Sequence, residues 1–403
     1  MHRACFYSRV LLFGMNQIQQ CSWRTGGWGK LLLVAFMSCA ALTACTGPQL
    51  FALSGNTMGT YWKVLIATES DVDALQIQGA IEATLERIDG SMSHWRDDSE
   101  ISRLNRQSVG QWMQVSASLM EVLRLSAVIS QATDGAFDIT LGRLVNLWGF
   151  GPEQPLITRK LPKRKQLDQA LLHAGWEKLE LAPFSKNDAG SAGLVRRMDS
   201  FSVDLSAVAK GYAVDQLADL LLVMGFRHFL VDIGGELKVS GMKNRDSLWQ
   251  IGIAHPAVGT GPAIAMTISL DAGAPWALAT SGDYRNYVVE ADRRYPHVLS
   301  QKHGRPIDHQ LASVSVADAS CAQADALATA LLSMGAEQAL IWSERAAIPV
   351  LLMQRVDAES AEQGRGAGFK VLANSYWRRQ FGTPTPWLSE FGVEDLGSEQ
   401  RGL

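Results

Sequence analysis

The chain has 403 residues, 47% hydrophobic and 19% charged, with a formal net charge of −3. That composition excludes a fibrous or disordered protein, and the near-balance of charge excludes a general attraction to nucleic acid. The length admits two or three average domains or one large one.

Residues 1–44 read as a targeting segment. They hold Arg3, Arg9, Arg24 and Lys30 and no acid, so the remainder carries 33 basic against 40 acidic side chains. Lys30 precedes the apolar run Leu31 to Met37, and small residues lead to Leu42-Thr43-Ala44-Cys45. The run is about half of what a membrane-spanning helix needs. A basic start, a short apolar stretch and small residues before a cysteine resemble a bacterial lipoprotein signal. Cys45 is therefore expected to be the lipidated first residue, anchoring the protein to a membrane on its periplasmic side. Of the five cysteines (Cys5, Cys21, Cys39, Cys45, Cys321), only Cys321 then remains free, which excludes a disulfide framework or a thiolate metal site.

Residues 45–56 read as a lipidated tether. Thr60 to Ile66 is rich in β-formers and predicts a strand. Apolar residues at helical spacing predict a helix over 71–90, and further helices are expected at 116–133 and 165–175. Trp176 to Leu181 reads as a strand, followed by a Gly/Ser/Asn loop from Ser185 to Gly193. A helix is predicted over 207–224. Strands are predicted at 229–233, 237–240, 249–254 and 263–269, then a helix at 323–334 and a strand at 348–353. Residues 376–403 read as a loose tail. Strands and helices do not alternate strictly, and no Gly-rich turn opens a helix as in dinucleotide-binding folds. The expected fold is therefore α+β, with mixed or antiparallel sheets, flanking helices and one catalytic unit over 57–375.

Four segments are richer in Gly, Asp and polar residues than a plain core. The first is Asp134-Gly135-Ala136-Phe137-Asp138-Ile139-Thr140, leading to Trp148-Gly149-Phe150-Gly151. Glycine admits close backbone approach, and Phe or Trp offers a flat surface to a ring; the same residues also suit a simple turn. The second, Asp204-Leu205-Ser206-Ala207-Val208-Ala209-Lys210-Gly211-Tyr212, reads as a strand turning into a helix, with Ser206 a possible N-cap. Free amides there suit phosphate and Lys210 adds a point charge, though a capped surface helix has the same pattern. The third comprises Asp232 to Glu236 and Thr280 to Asn286, both glycine-bearing strand ends. In the fourth, Asp325 and Thr329 are four apart on one helix face. Such a pair gives two oxygens to a hard cation such as magnesium; it also suits a solvated helix.

Together these segments resemble the ApbE family of FAD:protein FMN transferases. The matching blocks occur in family order: Thr57-Met58-Gly59-Thr60-Tyr61, Ser99 to Asn105, Gly135-Ala136-Phe137-Asp138, Trp148-Gly149-Phe150-Gly151, Asp204 to Ala213, Gly234-Gly235, Thr280-Ser281-Gly282 with Tyr284-Arg285-Asn286, and Ala324-Asp325-Ala326 with Thr329. The resemblance implies a fold that holds FAD between its sheets. It implies that Met58, Ala136, Phe137, Asp138, Asp204 and Lys210 line the flavin nucleotide. Asp325, Thr329 and the carbonyl of Ala207 fall at the magnesium ligands, and His297 at the general base. The implied reaction moves FMN from FAD onto a Thr or Ser hydroxyl of an acceptor flavoprotein and releases AMP. Hydrolysis of FAD to FMN and AMP, or FAD storage without catalysis, are the alternatives. The sequence departs from the family where a hydrophobic pair and Asp-Pro-x-Thr-Gly follow the histidine: here the run is Val298-Leu299-Ser300-Gln301-Lys302-His303-Gly304. The resemblance implies a carboxylate that orients the histidine or assists the metal at this place, and Ser300 replaces it.

Overall fold

Eight strands with apolar side chains on both faces set the architecture. The computed structural model describes residues 48–153, 161–183, 193–256, 264–270, 276–284, 286–290, 293–356 and 368–384. The targeting segment, Cys45, the loop at 185–192, Arg285 and the chain beyond 384 lie outside the described residues.

In chain order the strands are β1 (Gln49–Thr57), β2 (Thr60–Thr68), β3 (Met113–Val115), β4 (Leu179–Pro183), β5 (Gly193–Arg197), β6 (Phe229–Ile233), β7 (Glu236–Ser240), β8 (Trp249–Ala254), β9 (Ile264–Leu270), β10 (Trp276–Gly282), β11 (Tyr287–Glu290), β12 (Arg293–Pro296), β13 (Leu299–Ser300), β14 (Arg305–Pro306), β15 (Leu311–Asp318), β16 (Val350–Arg355) and β17 (Phe369–Ala373). The helices are α1 (Ala74–Met92), α2 (Glu100–Arg106), α3 (Ala117–Ala132), α4 (Gly142–Trp148), α5 (Arg164–His173), α6 (Ala209–Val223), α7 (Cys321–Met334), α8 (Ala336–Arg345) and α9 (Ser375–Phe381). The main sheet runs β1-β2-β6-β7-β10-β15-β16-β17, antiparallel throughout. A small sheet orders β3-β5-β4, and β8–β9, β11–β12 and β13–β14 form separate two-stranded pairs. The α+β expectation holds.

The period-2 alternation of a strand assigns each face of the main sheet its own core. Val350 and Leu352 of β16 join Trp62, Val64 and Ile66 of β2 on one face, under helices α1, α3, α6 and α7. Leu351 and Met353 point the other way, to a second core with the β8–β9 hairpin, β17 and α9. In β15 a bulge between Leu311 and Ser313 shifts the register. It lets Leu311 and Val314, of opposite parity, serve the same core. A third, smaller cluster joins α4 and α5 to Leu299, with Tyr295 packed on it.

Two expectations are corrected. Most of the tether is strand: from Gln49 it is edge strand β1, paired residue for residue with β2. The loose tail begins instead with a helix, α9, whose Trp377 is fully buried in the second core. Asn374 explains why the helix docks. Its side chain caps α9 through the Trp377 amide at 2.9 Å, and its amide group reaches the Ile348 carbonyl at 2.7 Å. Trp377→Ala is accordingly expected to cost about 3–5 kcal/mol, measured by denaturant unfolding. A change below the error of that measurement would mean α9 is not part of the core.

Candidate active site

The centre of the site is the junction of α6 and α7. Asp215 of α6 accepts from the Ser320 hydroxyl (2.9 Å) and the amides of Cys321 and Ala322 (both 3.0 Å), and pairs with Lys238 at 2.6 Å. This carboxylate fixes the first turn of α7 on α6, where free helix amides favour negative charge. The helices meet so closely that a Cβ on Gly211 would lie 2.4 Å from the Cys321 carbonyl oxygen. Only glycine fits. Helix α6 begins without a side-chain cap of its own. The Gly211 amide, in its first turn, instead donates to Asp325 Oδ2 at 3.0 Å.

Asp325 is 3% exposed. Burial pushes its carboxyl up to about 6; Glu236 adds to the rise, while Lys210 and the Gly211 amide oppose it. One turn further along α7, Thr329 Oγ1 lies 3.0 Å from Ser281 Oγ at the end of β10. The Ala207 carbonyl, just before α6, accepts no backbone amide among the described residues. Among those residues no three His, Cys, Asp or Glu side chains converge. A buried carboxylate held at one oxygen, a hydroxyl pair and an uncommitted carbonyl are hard oxygen donors. That set fits magnesium, which takes few protein oxygens and fills its shell with water and phosphate.

Lys210 stands beside this centre, its Nζ 2.6 Å from Glu236 Oε2 at the start of β7. The β6–β7 turn carries Gly234 at φ 62, where an added Cβ would lie 2.9 Å from the Thr60 side chain. Gly234 N donates to the Tyr61 carbonyl at 3.1 Å. The β1–β2 turn, with Met58 at φ 47, is thereby brought to the same end of the sheet.

The segment 136–140 lies along 203–206, since Asp204 N donates to the Ile139 carbonyl at 2.8 Å. Asp204 Oδ1 accepts from Ser206 N (2.9 Å) and Ser206 Oγ (2.5 Å) and lies 3.2 Å from His94 Nδ1. Ser206 is therefore held in a turn by Asp204 and is not the N-cap expected; Val208 takes that position. Asp138 Oδ1 accepts from the amide and hydroxyl of Thr140 at 2.8 and 2.7 Å, and burial pushes its carboxyl up. Ala136 is half-buried. Phe137 is 2% exposed within the main core, and Trp148 is buried with its Nε1 on the Gly304 carbonyl at 2.8 Å. These two rings build the fold; the flat ligand surface expected of them is not offered.

His297 follows β12. Its Nδ1 lies 3.1 Å from the Asn286 carbonyl oxygen. A carbonyl only accepts, so the neutral ring carries its proton on Nδ1 and keeps the Nε2 lone pair as a base. Burial pushes the ring's pKa below its ordinary value; the Asn286 carbonyl, Asp204 and Asp283 oppose the shift, and Lys210 reinforces it. The orientation that a carboxylate at position 300 would give thus comes from main chain. Ser300 closes a tight turn, its carbonyl accepting from Gly304 N at 2.8 Å. Gln301 lays its carboxamide on Gly135, where an added Cβ would meet it at 2.7 Å. Asp283, buried nearby, is clamped by Arg355 at 2.5 and 2.6 Å.

The fold brings Lys210 within electrostatic reach of both Asp325 and His297, and His297 within reach of Asp204, with Thr329 on the same helix as Asp325. His94, Gly211 as a backbone donor, Glu236 and Asp283 were not singled out from sequence. Their roles come from contacts between distant segments; Gly211, Glu236 and Asp283 lay in segments already marked by composition, and His94 did not.

The ApbE family model matches residues 58–352. A curated FAD:protein FMN transferase from Vibrio cholerae is 36% identical over 350 residues, covering 86% of this chain and 97% of that protein. One from Escherichia coli K12 is 35% identical, covering 72% and 80%. Among solved structures, the apo form of the Pseudomonas stutzeri flavinyl transferase ApbE superposes with a TM-score of 0.72 at 31% identity, covering 85% of this chain and all of that one. The flavin transferase ApbE from Vibrio cholerae gives 0.71 at 33%, covering 83% and 100%. Fold, order of blocks and relatives agree, and the chain, an enzyme of the transferase class, belongs to the ApbE family.

Proposed function

We propose that this protein is a magnesium-dependent FAD:protein FMN transferase, exported and anchored by lipid on Cys45, that flavinylates a Thr or Ser of an acceptor flavoprotein in the periplasm. One observation carries the reading. A buried carboxylate, Asp325, is held against the start of α6 by the Gly211 amide, with Lys210 in electrostatic range.

Asp325, Thr329 and the Ala207 carbonyl would hold the magnesium. Bound there with the pyrophosphate of FAD, the ion supplies neutralisation of the charge that develops on the phosphates. Lys210, released from Glu236, adds a point charge to the same phosphates. Asp204, Met58 and the 136–138 backbone surround the nucleotide, and the exposed ring of Trp95 next to His94 offers a stacking face. His297 Nε2 takes the proton of the acceptor hydroxyl. The hydroxyl oxygen forms a bond to the FMN phosphorus, the pyrophosphate P–O bond breaks, and AMP leaves. As in other phosphoryl transfers, positioning and charge stabilisation provide most of the rate.

Release of AMP from FAD, followed with and without an acceptor flavoprotein domain, tests the reading. Transfer predicts AMP release that rises with acceptor and requires magnesium. Release independent of acceptor, with free FMN accumulating, would identify a hydrolase. FAD bound and left intact would identify a storage protein.

A further inference from the structure

We propose that the basic face beside His297 docks an acidic segment of the acceptor protein, and that this docking selects the hydroxyl to be flavinylated. The proposal rests on FMN transfer as the activity of the site.

The face belongs to the small third cluster. Leu144, Leu167 and Leu299 tie α4, α5 and the β13 strand together. Trp148 stacks on Tyr295 with ring centroids 5.6 Å apart, and Gly304 sits against Leu144 and Leu171. Phe150, packed on this cluster, meets the His297 ring edge-on at 6.2 Å. Charge is distributed unevenly over the chain. Segments 142–153, 161–174 and 293–308 hold eight Lys and Arg against three Asp and Glu, while the whole chain holds 37 against 40. Lys163, Arg164 and Lys165 at the start of α5 and Arg293, Lys302 and Arg305 on the hairpins are all exposed.

Little of this charge is neutralised locally. Arg164 has a loose, exposed contact with Asp168 at 3.7 Å, and Arg293 lies over the Tyr295 ring. Arg294, one of the eight, is by contrast engaged with Asp283. Solvent-facing cations concentrated at the rim of a reacting group raise the local concentration of an anionic partner and set its register, with an effect that fades as salt screens it. The phosphates of FAD have their own cation in Lys210, at the α6–α7 centre. An anionic bilayer would also suit the charge, but docking there would cover the histidine that must meet the acceptor. The placement favours the acceptor protein.

The test compares wild type with Lys302→Glu/Arg305→Glu and, away from the hairpin turn, Lys163→Glu/Lys165→Glu. Binding is read by fluorescence anisotropy with a short labelled aspartate-rich peptide carrying one threonine, and with its Asn-for-Asp counterpart. AMP release from FAD at saturating acidic peptide and binding to phosphatidylglycerol vesicles are followed in parallel. The wild type is expected to prefer the acidic peptide at low salt, each double variant to weaken that binding about tenfold, and AMP release and the KM for FAD to stay unchanged. Equal binding of the two peptides by wild type, or a rise in KM for FAD in the variants, would overturn the proposal. So would loss of vesicle binding with peptide binding intact, which would assign the face to the membrane. Absence of FAD turnover in the wild type is a separate result, and counts against the transferase reading itself.

Discussion

Asp325→Asn is expected to raise the melting temperature of the metal-free protein while abolishing FMN transfer. The two effects share one cause. Folding removes the Asp325 carboxyl from water and raises its pKa from 3.8 to about 6. A raised acid is favoured in the fold when protonated. Its contribution to stability is therefore greatest below its unfolded value and is lost as pH rises through about 6. At neutral pH the buried charge costs on the order of 1–3 kcal/mol. Asparagine removes that charge and can still accept from the Gly211 amide, so the apo variant should melt a few degrees higher. The same change deletes the one carboxylate offered to magnesium, and transfer should fall by at least about a thousandfold. Magnesium should stabilise the wild type more at about pH 7.5 than at about pH 5, because it competes with the proton for the carboxylate, and should not stabilise the variant. Thermal unfolding with and without magnesium at both pH values checks the first half without any need for activity. A variant that melts lower than wild type, or still gains from magnesium, would contradict the account.

His297→Gln is expected to lower transfer by about 10²–10⁴-fold with little change in the KM for FAD. The wild type should lose activity only in acid. Burial holds the imidazole below its ordinary value, so it is a neutral base throughout the neutral range, and the acid limb should lie below about pH 6.5. Saturating magnesium keeps Asp325 ionised and leaves His297 as the group that this limb reports. The limb should disappear in His297→Gln. An acid limb that persists unchanged in the variant would remove His297 from the proton transfer.

Much of this site was legible because its chemistry sits in local patterns. Asp325 and Thr329 fall four apart on one helix, and the Asp204–Gly211 run shows its turn and its lysine in a few residues. The interactions that make those groups work are not local. The partner of Asp325 is an amide 114 positions away, and Lys210 finds Glu236 only because β7 returns beside α6. Ser206 looked like a cap until Asp204 claimed it, a competition between a turn and a helix start that propensity alone does not decide. The misread ends of the domain have similar causes. Strand β1 is an edge strand with Leu50 exposed and alternate residues in solvent, so its pattern is weak. Helix α9 is short, and tertiary burial of Trp377 gives it the stability its length does not. The substitutions at Ser300 and Gln301 read as losses in sequence. In the structure the histidine is oriented by the Asn286 carbonyl, and Gln301 packs on Gly135.

The central claim is that the Asp325 centre makes this chain a transferase. Intact-mass spectrometry of an acceptor flavoprotein domain, after incubation with the chain from Thr46, FAD and magnesium, tests it most directly. The account predicts a mass gain equal to covalent FMN with wild type, lost with Asp325→Asn or when magnesium is chelated. A gain that survives either change would contradict it.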